Sequence, residues 1–242
     1  MAIGPENRTV YRTAARDQAL GIDQGLRSHM LGVYNKMAIG LAITGGTAYL
    51  VDQGFEAQAG WAMAILQARW VFLFLGLGLA LFLSFGLRRM SASTAYASFL
   101  GYAVVNGIWL TPLLLVYTHE SVASTFFISA ATFLATSLYG YTTRRDLTGF
   151  GNFLFMGLIG LLIAVVVNIF LQSSAMAFAI SVIGVLLFTG LTAYDTQKIK
   201  EMYYAGDDGE VARKKSILGA LQLYLDFINL FIFMLQLMGN RR

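Results

Sequence analysis

The stretch ALQLYLDFINLF, residues 220–231, sets one aspartate in a run otherwise suited to lipid. Insertion scales charge roughly 2.5–3.5 kcal/mol for an aspartate at the centre of a transmembrane helix, and such residues face a bundle interior or a water-filled cavity. Asp226 therefore predicts a helix enclosed by other helices. The whole chain agrees: 57% of its 242 residues are hydrophobic, 12% are charged and the mean hydropathy is +0.64, whereas a soluble domain carries about 25% charged residues.

Uncharged runs cover 71–87, 90–118, 121–143 and 147–194. About 20 apolar residues cross a bilayer, so the last of these runs holds two spans. Spans are predicted at 30–51, 70–88, 92–116, 121–141, 150–171, 175–197 and 217–238. The expected fold is all-α, a polytopic membrane protein with a cytoplasmic N-terminal segment (1–28), a seven-helix transmembrane domain (29–238) and a short tail (239–242). The N-terminal segment carries Arg8, Arg12, Arg16 and Arg27 and has no apolar stretch of the secretory-signal type. Loops are short, except for 1–2, where an interfacial segment fits, and the charged loop 6–7. Glycine pairs such as Gly45/Gly46, Gly76/Gly78 and Gly157/Gly160 are read as close helix packing, and Pro112 removes one helical hydrogen bond from span 3.

Basic residues are distributed unevenly. The N-terminal segment and loops 2–3, 4–5 and 6–7 hold thirteen Lys and Arg, while the other side holds only Arg69, Arg241 and Arg242, and Lys36 lies in the first turns of span 1. The positive-inside rule then places the N terminus in the cytoplasm and the C terminus outside. The sequence pI of about 9.3 reflects these loops rather than one basic soluble face, which argues against a nucleic-acid partner. The lipid bilayer is the expected partner. With no cysteine there is no disulfide and no thiolate metal site.

Of thirteen acidic residues, only Asp195, in LTAYDTQKIK, and Asp226 fall well inside predicted spans. Spans 6 and 7 run antiparallel, and if helix 6 extends to about Lys200 the two carboxyls reach comparable depth on the cytoplasmic side. On span 7, Gln222, Asp226, Asn229, Phe233, Gln236 and Asn240 share one face. On span 6 the face of Asp195 carries Thr192, Phe188, Gly184 and Ser181. Two carboxyls in a poorly solvated site cannot both ionise cheaply, so they are expected to share a proton and titrate as a pair. Hard oxygen ligands suit Ca²⁺ once waters or carbonyls complete its shell, and proton relay is a competing use of the same pair. Arg88 and Arg89 end span 2 on the same side, where a guanidinium reaching inward would latch one carboxylate. Arg144 and Arg145 read as interfacial anchors, with Asp146 as their counter-charge.

The stretches YGYTTRRDLTGFGNFLFMGLIGLL (139–162), GVLLFTGLTAYDTQKIK (184–200) and LYLDFINLFIFMLQL (223–237) are similar to the Bax inhibitor-1 (transmembrane BAX inhibitor motif) family, most of all to its bacterial members, with weaker support from GIWLTPLLL (107–115) and HMLGVYNKMAIGLAI (29–43). The resemblance runs from His29 to Leu237. It implies six helices in two three-helix layers around a central seventh, and a pH-sensitive calcium leak gated by a paired-aspartate sensor. That sensor and metal site falls on Asp195 and Asp226, and the closing latch on Arg88, with Arg89 adjacent. Ca²⁺ is then a transported ion rather than a cofactor, and protons are the second ligand. Some bacterial relatives carry a glutamate in span 2, where this chain has FLFLGLGLALFLSFG and no acid. The family is also associated with resistance to cell-death and envelope stress, and some bacterial members with a membrane-bound AAA protease as partner. The tail GNRR, in place of a lysine-rich cytoplasmic one, implies a bacterial inner membrane with a periplasmic C terminus.

Two other readings remain open: a Ca²⁺/H⁺ exchanger, and an interaction protein that modulates a membrane protease or stress response. An enzyme is not expected. The chain has no G-x-S-x-G and no H-E-x-x-H, and His29 and His119 both sit at span ends. A retinal Schiff base would need a lysine in span 7, and none follows Lys215.

Overall fold

The computed structural model describes residues 5–86 and 89–242, with side chains from Gln24 onward. Among these residues it contains eight helices: α1 (Pro5–Glu56), α2 (Gly60–Gln67), α3 (Arg69–Gly86), α4 (Ala92–Val116), α5 (His119–Thr142), α6 (Thr148–Leu171), α7 (Ser174–Glu201) and α8 (Gly209–Met238). The seven long helices fall on the seven predicted spans, and α2 occupies the loop where an interfacial segment was expected. Helices α3 to α8 are each long and apolar enough to cross a membrane. Helix α1 carries Lys36 and Asp52 within its apolar part and stands outside that group. It also runs through the expected boundary at 28/29. Pro5 is tolerated at a helix start, and no later proline in α1 interrupts it.

Polar residues punctuate the chain where helices begin. Ser91, Thr118 and Ser173 accept hydrogen bonds from the amides of Thr94, Ser121 and Met176, and Asp208 accepts from Glu210 and Val211. Each such cap satisfies an amide that the first helical turn leaves unpaired. At the end of α6, Gln172 adopts a left-handed conformation (φ 49°) and turns the chain into Ser173.

Helix α8 is the centre. It packs against α1, α4, α5 and α7, with α1, α3 and α4 forming one group and α5, α6 and α7 the other. The two outermost helices are held mainly by one long neighbour each, α3 by α4 and α6 by α7. Burial follows this order: 61% of the apolar window of α8 is buried, against 11% in α3 and in α6. The exposed faces of α3 and α6 are rich in large apolar side chains, among them Phe74, Phe85, Phe153 and Phe170, as a lipid-facing helix requires.

The core around α8 is aromatic and tightly interlocked. Tyr224 is fully buried between the rings of Phe99 and Tyr102. Its hydroxyl lies 2.7 Å from Thr44 Oγ1 and accepts from Asn106 Nδ2 at 3.1 Å, which ties α8 to α1 and α4. On the other side Phe227 packs edge-on to Phe126 and Phe133 of α5.

The glycines that matter for packing differ from the expected pairs. Gly45, Gly46, Gly78 and Gly160 face open space, where a methyl group would meet nothing within 4 Å. Close approach occurs instead at Gly107, where a Cβ would lie 2.5 Å from the Thr44 carbonyl oxygen, and at Gly140, where it would lie 2.1 Å from that of Ala193. Backbone cannot yield as a side-chain tip does, so these two positions set the α1–α4 and α5–α7 distances. Gly107→Ala and Gly140→Ala are expected to destabilise the protein by about 1–3 kcal/mol through overpacking. Gly101→Ala, with nothing within 4 Å, is expected not to. Thermal unfolding in one detergent compares the three variants.

Candidate functional site

Two long antiparallel helices, α7 and α8, form the seam that carries the acids. Ser181 Oγ donates to Gln236 Oε1 at 3.2 Å. One turn along, Gly184 leaves room for the Phe233 ring, which a Cβ would strike at 2.5 Å, and Phe188 stacks on the same ring at 5.8 Å. Continuing this register puts Asp195 level with Gln222, one helical turn from Asp226. The face read from spacing on span 6 thus meets the polar stripe of span 7.

Helix α7 runs on to Glu201, which brings the two acids to similar depth. Asp226 is 5% exposed, Asp195 is half-buried, and the two carboxyls lie near enough to feel each other's charge and that of the Lys198 ammonium. Asp226 Oδ2 and Gln222 Oε1 are buried with no hydrogen-bond partner. An acceptor left bare in a low-dielectric interior is unfavourable by about 1–3 kcal/mol. Here two such acceptors occupy one face of α8, a turn apart. A proton held between the acids, or a cation with waters, is what this cluster of oxygens is able to accept.

Polar groups tie the helices together at this end of the bundle. Tyr34 of α1 lies 2.6 Å from Ser137 Oγ of α5, which lies 2.9 Å from Thr196 Oγ1 of α7, and Thr196 donates to the Thr192 carbonyl. This chain of hydroxyls begins at the residue that follows Asp195 in sequence and links three helices. Gln197 Nε2 donates to the Arg145 carbonyl and its Oε1 accepts from the Leu147 amide, both at 2.8 Å, fixing the α5–α6 turn against α7. Lys200 Nζ donates to the Tyr141 carbonyl at 2.9 Å. At the start of α8, Glu210 Oε1 accepts from the Ala92 amide at 2.7 Å and joins the α3–α4 turn to the same end of the bundle.

Arg88 lies outside the described residues, so the predicted latch has no structural placement. Arg89 is exposed and forms no ion pair among the described residues. Arg144 and Arg145 are exposed, as anchors are, but Asp146 is held by Thr148 rather than by them: its Oδ1 accepts from the Thr148 amide at 2.8 Å, and hydrogen bonding from the Thr148 side chain, then from this amide, keeps the carboxyl below its ordinary range. Sequence reading missed Tyr34, Ser137, Thr196 and Gln197. The signal was present in YDTQKIK, where two neutral polar residues follow Asp195 directly, but their partners lie about fifty or more residues away.

The sequence family model described as inhibitor of apoptosis-promoting Bax1 matches residues 26–242. The chain belongs to this family. Among curated Bax inhibitor-1 relatives it is similar to the inner membrane protein YbhL of Escherichia coli strain K12, at 46% identity over 90% of this chain and 94% of that one. It is 48% identical to an uncharacterized protein of Rickettsia prowazekii, covering 91% and 92% of the two chains, and 45% identical to one of Caulobacter vibrioides, covering 98% of each.

The paired acids of this Bax inhibitor-1 protein sit at odds with stability. Asp226→Asn removes one like charge while keeping the side-chain shape and adding a donor that Asp195 or Gln222 is able to accept. The variant is expected to unfold at a higher temperature than the native protein, with about 2–4 °C for each kcal/mol gained. The gap should widen as pH rises, because only the native pair then carries two charges. Differential scanning fluorimetry at an acidic and an alkaline pH reads both effects.

Proposed function

We propose that this Bax inhibitor-1 family protein is a non-enzymatic, pH-sensitive Ca²⁺ leak of the bacterial inner membrane, with Asp195 and Asp226 as its proton sensor and cation site. The observation that carries the proposal is the enclosed acid pair with Asp226 Oδ2 unpartnered among helices α7 and α8. When the pair shares one proton it carries a single negative charge, the two carboxyls hold each other through that proton, and the α7–α8 seam stays closed. When the proton leaves, repulsion between like charges opens the seam or is relieved by a cation, so cation binding strengthens as pH rises. In this reading Arg88 is the latch that pairs with the acids in the closed state.

The Escherichia coli relative is named as an inner membrane protein, which supports this location, and the charge distribution supports an orientation with the acid-pair end of the bundle in the cytoplasm and the tail in the periplasm. Ca²⁺ and protons are the partners at the site. The alternative reading is a membrane interaction protein that modulates a membrane-bound protease or stress response. Its mark would be a stress phenotype that survives neutralisation of both acids.

Purified protein in liposomes with a trapped Ca²⁺ dye tests the proposal. Ca²⁺ influx is expected to change between acidic and alkaline buffer in the native protein and to lose that dependence in Asp195→Asn and Asp226→Asn. Absence of influx, or an unaltered pH profile in both variants, overturns it. Influx that saturates and requires an imposed proton gradient identifies an exchanger instead.

A further inference from the structure

A second group of convergent acids lies at the opposite end of the bundle, where α1 finishes and α5 begins. Asp52, Glu56 and His119 each offer one ligand atom, and these atoms all lie within 4.8 Å of one another. The Asp52 side chain is 0% exposed, and its Oδ1 is buried with no hydrogen-bond partner. His119 and Glu56 are each 46% exposed and form the open side of the group. Behind His119 an apolar crevice of about 380 Å³, lined by residues such as Leu41, Leu110, Phe126 and Phe227, lowers the local dielectric.

The hydrogen bonding within this group is contradictory as it stands. His119 Nε2 lies 3.1 Å from Asp52 Oδ2, a contact that needs a proton on the nitrogen, and 2.6 Å from Arg242 Nη2, a contact that needs its lone pair. One ring nitrogen serves only one of these roles at a time. Arg242 also pairs with Glu56 at 3.7 Å. It is held over the group by backbone: its amide donates to the Val116 carbonyl, the Thr118 amide donates to the Asn240 carbonyl, and Ser121 Oγ donates to the same oxygen. The guanidinium therefore supplies the positive charge at a place where two carboxylates and an imidazole lone pair converge.

We infer that Asp52, Glu56 and His119 form a binding site for a divalent transition ion of the Zn²⁺ type, with Arg242 as an internal cation that competes for it. The donor set is one nitrogen and two carboxylates, which suits Zn²⁺ with an open fourth position for water. Tetrahedral Zn²⁺ spaces its ligand atoms about 3.3 Å apart, a contraction that the half-exposed Glu56 and His119 side chains reach by rotation. The ion satisfies the bare Asp52 oxygen and takes the His119 lone pair. Its two charges balance the two carboxylates, and Arg242 swings out into solvent. The site stands apart from the Asp195–Asp226 pair and does not rest on the proposed Ca²⁺ leak.

Calorimetric titration of the full-length, chelator-treated protein in detergent with ZnCl₂ tests this, with CaCl₂ as the comparison ion. The native protein is expected to bind one Zn²⁺ in preference to Ca²⁺. His119→Ala and Asp52→Asn are expected to weaken binding by about tenfold or more, and Arg242→Ala, a tail substitution that leaves the core intact, to tighten it. Co²⁺ substituted for Zn²⁺ is expected to show the visible absorption of a tetrahedral N/O site, lost in His119→Ala. Saturable Zn²⁺ binding in neither the native protein nor Arg242→Ala overturns the inference. So does binding that His119→Ala and Asp52→Asn leave unchanged, or that only Asp195→Asn and Asp226→Asn abolish.

Discussion

Two carboxyl groups placed at membrane depth must be surrounded by protein, because hydrocarbon offers them neither water nor donors. That requirement orders this bundle. Asp226 is brought in on α8, so α8 takes the middle, and its polar stripe needs a partner with small and hydroxylated side chains, which α7 supplies through Ser181, Gly184 and Thr192. The remaining helices close around the pair in two groups, linked to α8 by Tyr224 on one side and Phe227 on the other. The two least buried of the apolar spans, α3 and α6, carry no acids at all.

Much of this was legible in the amino-acid sequence. Long uncharged runs mark spans because backbone groups in lipid must be paired within a helix, and the single acids in spans 6 and 7 stand out against that background. The faces of Asp195 and Asp226 follow from helical spacing alone, and the structure joins them as the spacing implied, with Ser181 against Gln236 and Gly184 against Phe233. What periodicity does not carry is the identity of a distant partner. Ser137 reads as one more small residue in α5 until Tyr34 and Thr196 meet it. Gly45 and Gly46 look like packing residues yet face open space, while Gly107 and Gly140, unremarked in sequence, meet carbonyl oxygens.

Asp52 illustrates the same limit from the other direction. It lies just past the predicted first span (30–51), yet the start of α5 and the tail fold over it and leave it fully buried. The sequence marks the tail only as a short segment, 239–242. In the structure Asn240 and Arg242 pair by backbone with the α4–α5 turn, and Arg241 lies over the Tyr117 ring. Pairing of this kind depends on where two chain segments arrive in space, which no local pattern records.

The central position of α8 has a consequence for biogenesis. In chain order it follows every other span, so a ribosome delivers six helices to the bilayer before the one they surround. Until then the inward faces of α5 and α7, with Thr125, Ser129, Ser137 and Thr196, have no α8 to cover them. The two helix groups must either wait apart or dock early and reopen. Assembly of this bundle is therefore gated by the arrival of its last span, and that interval is when the nascent protein is most vulnerable to misassociation with neighbouring membrane proteins.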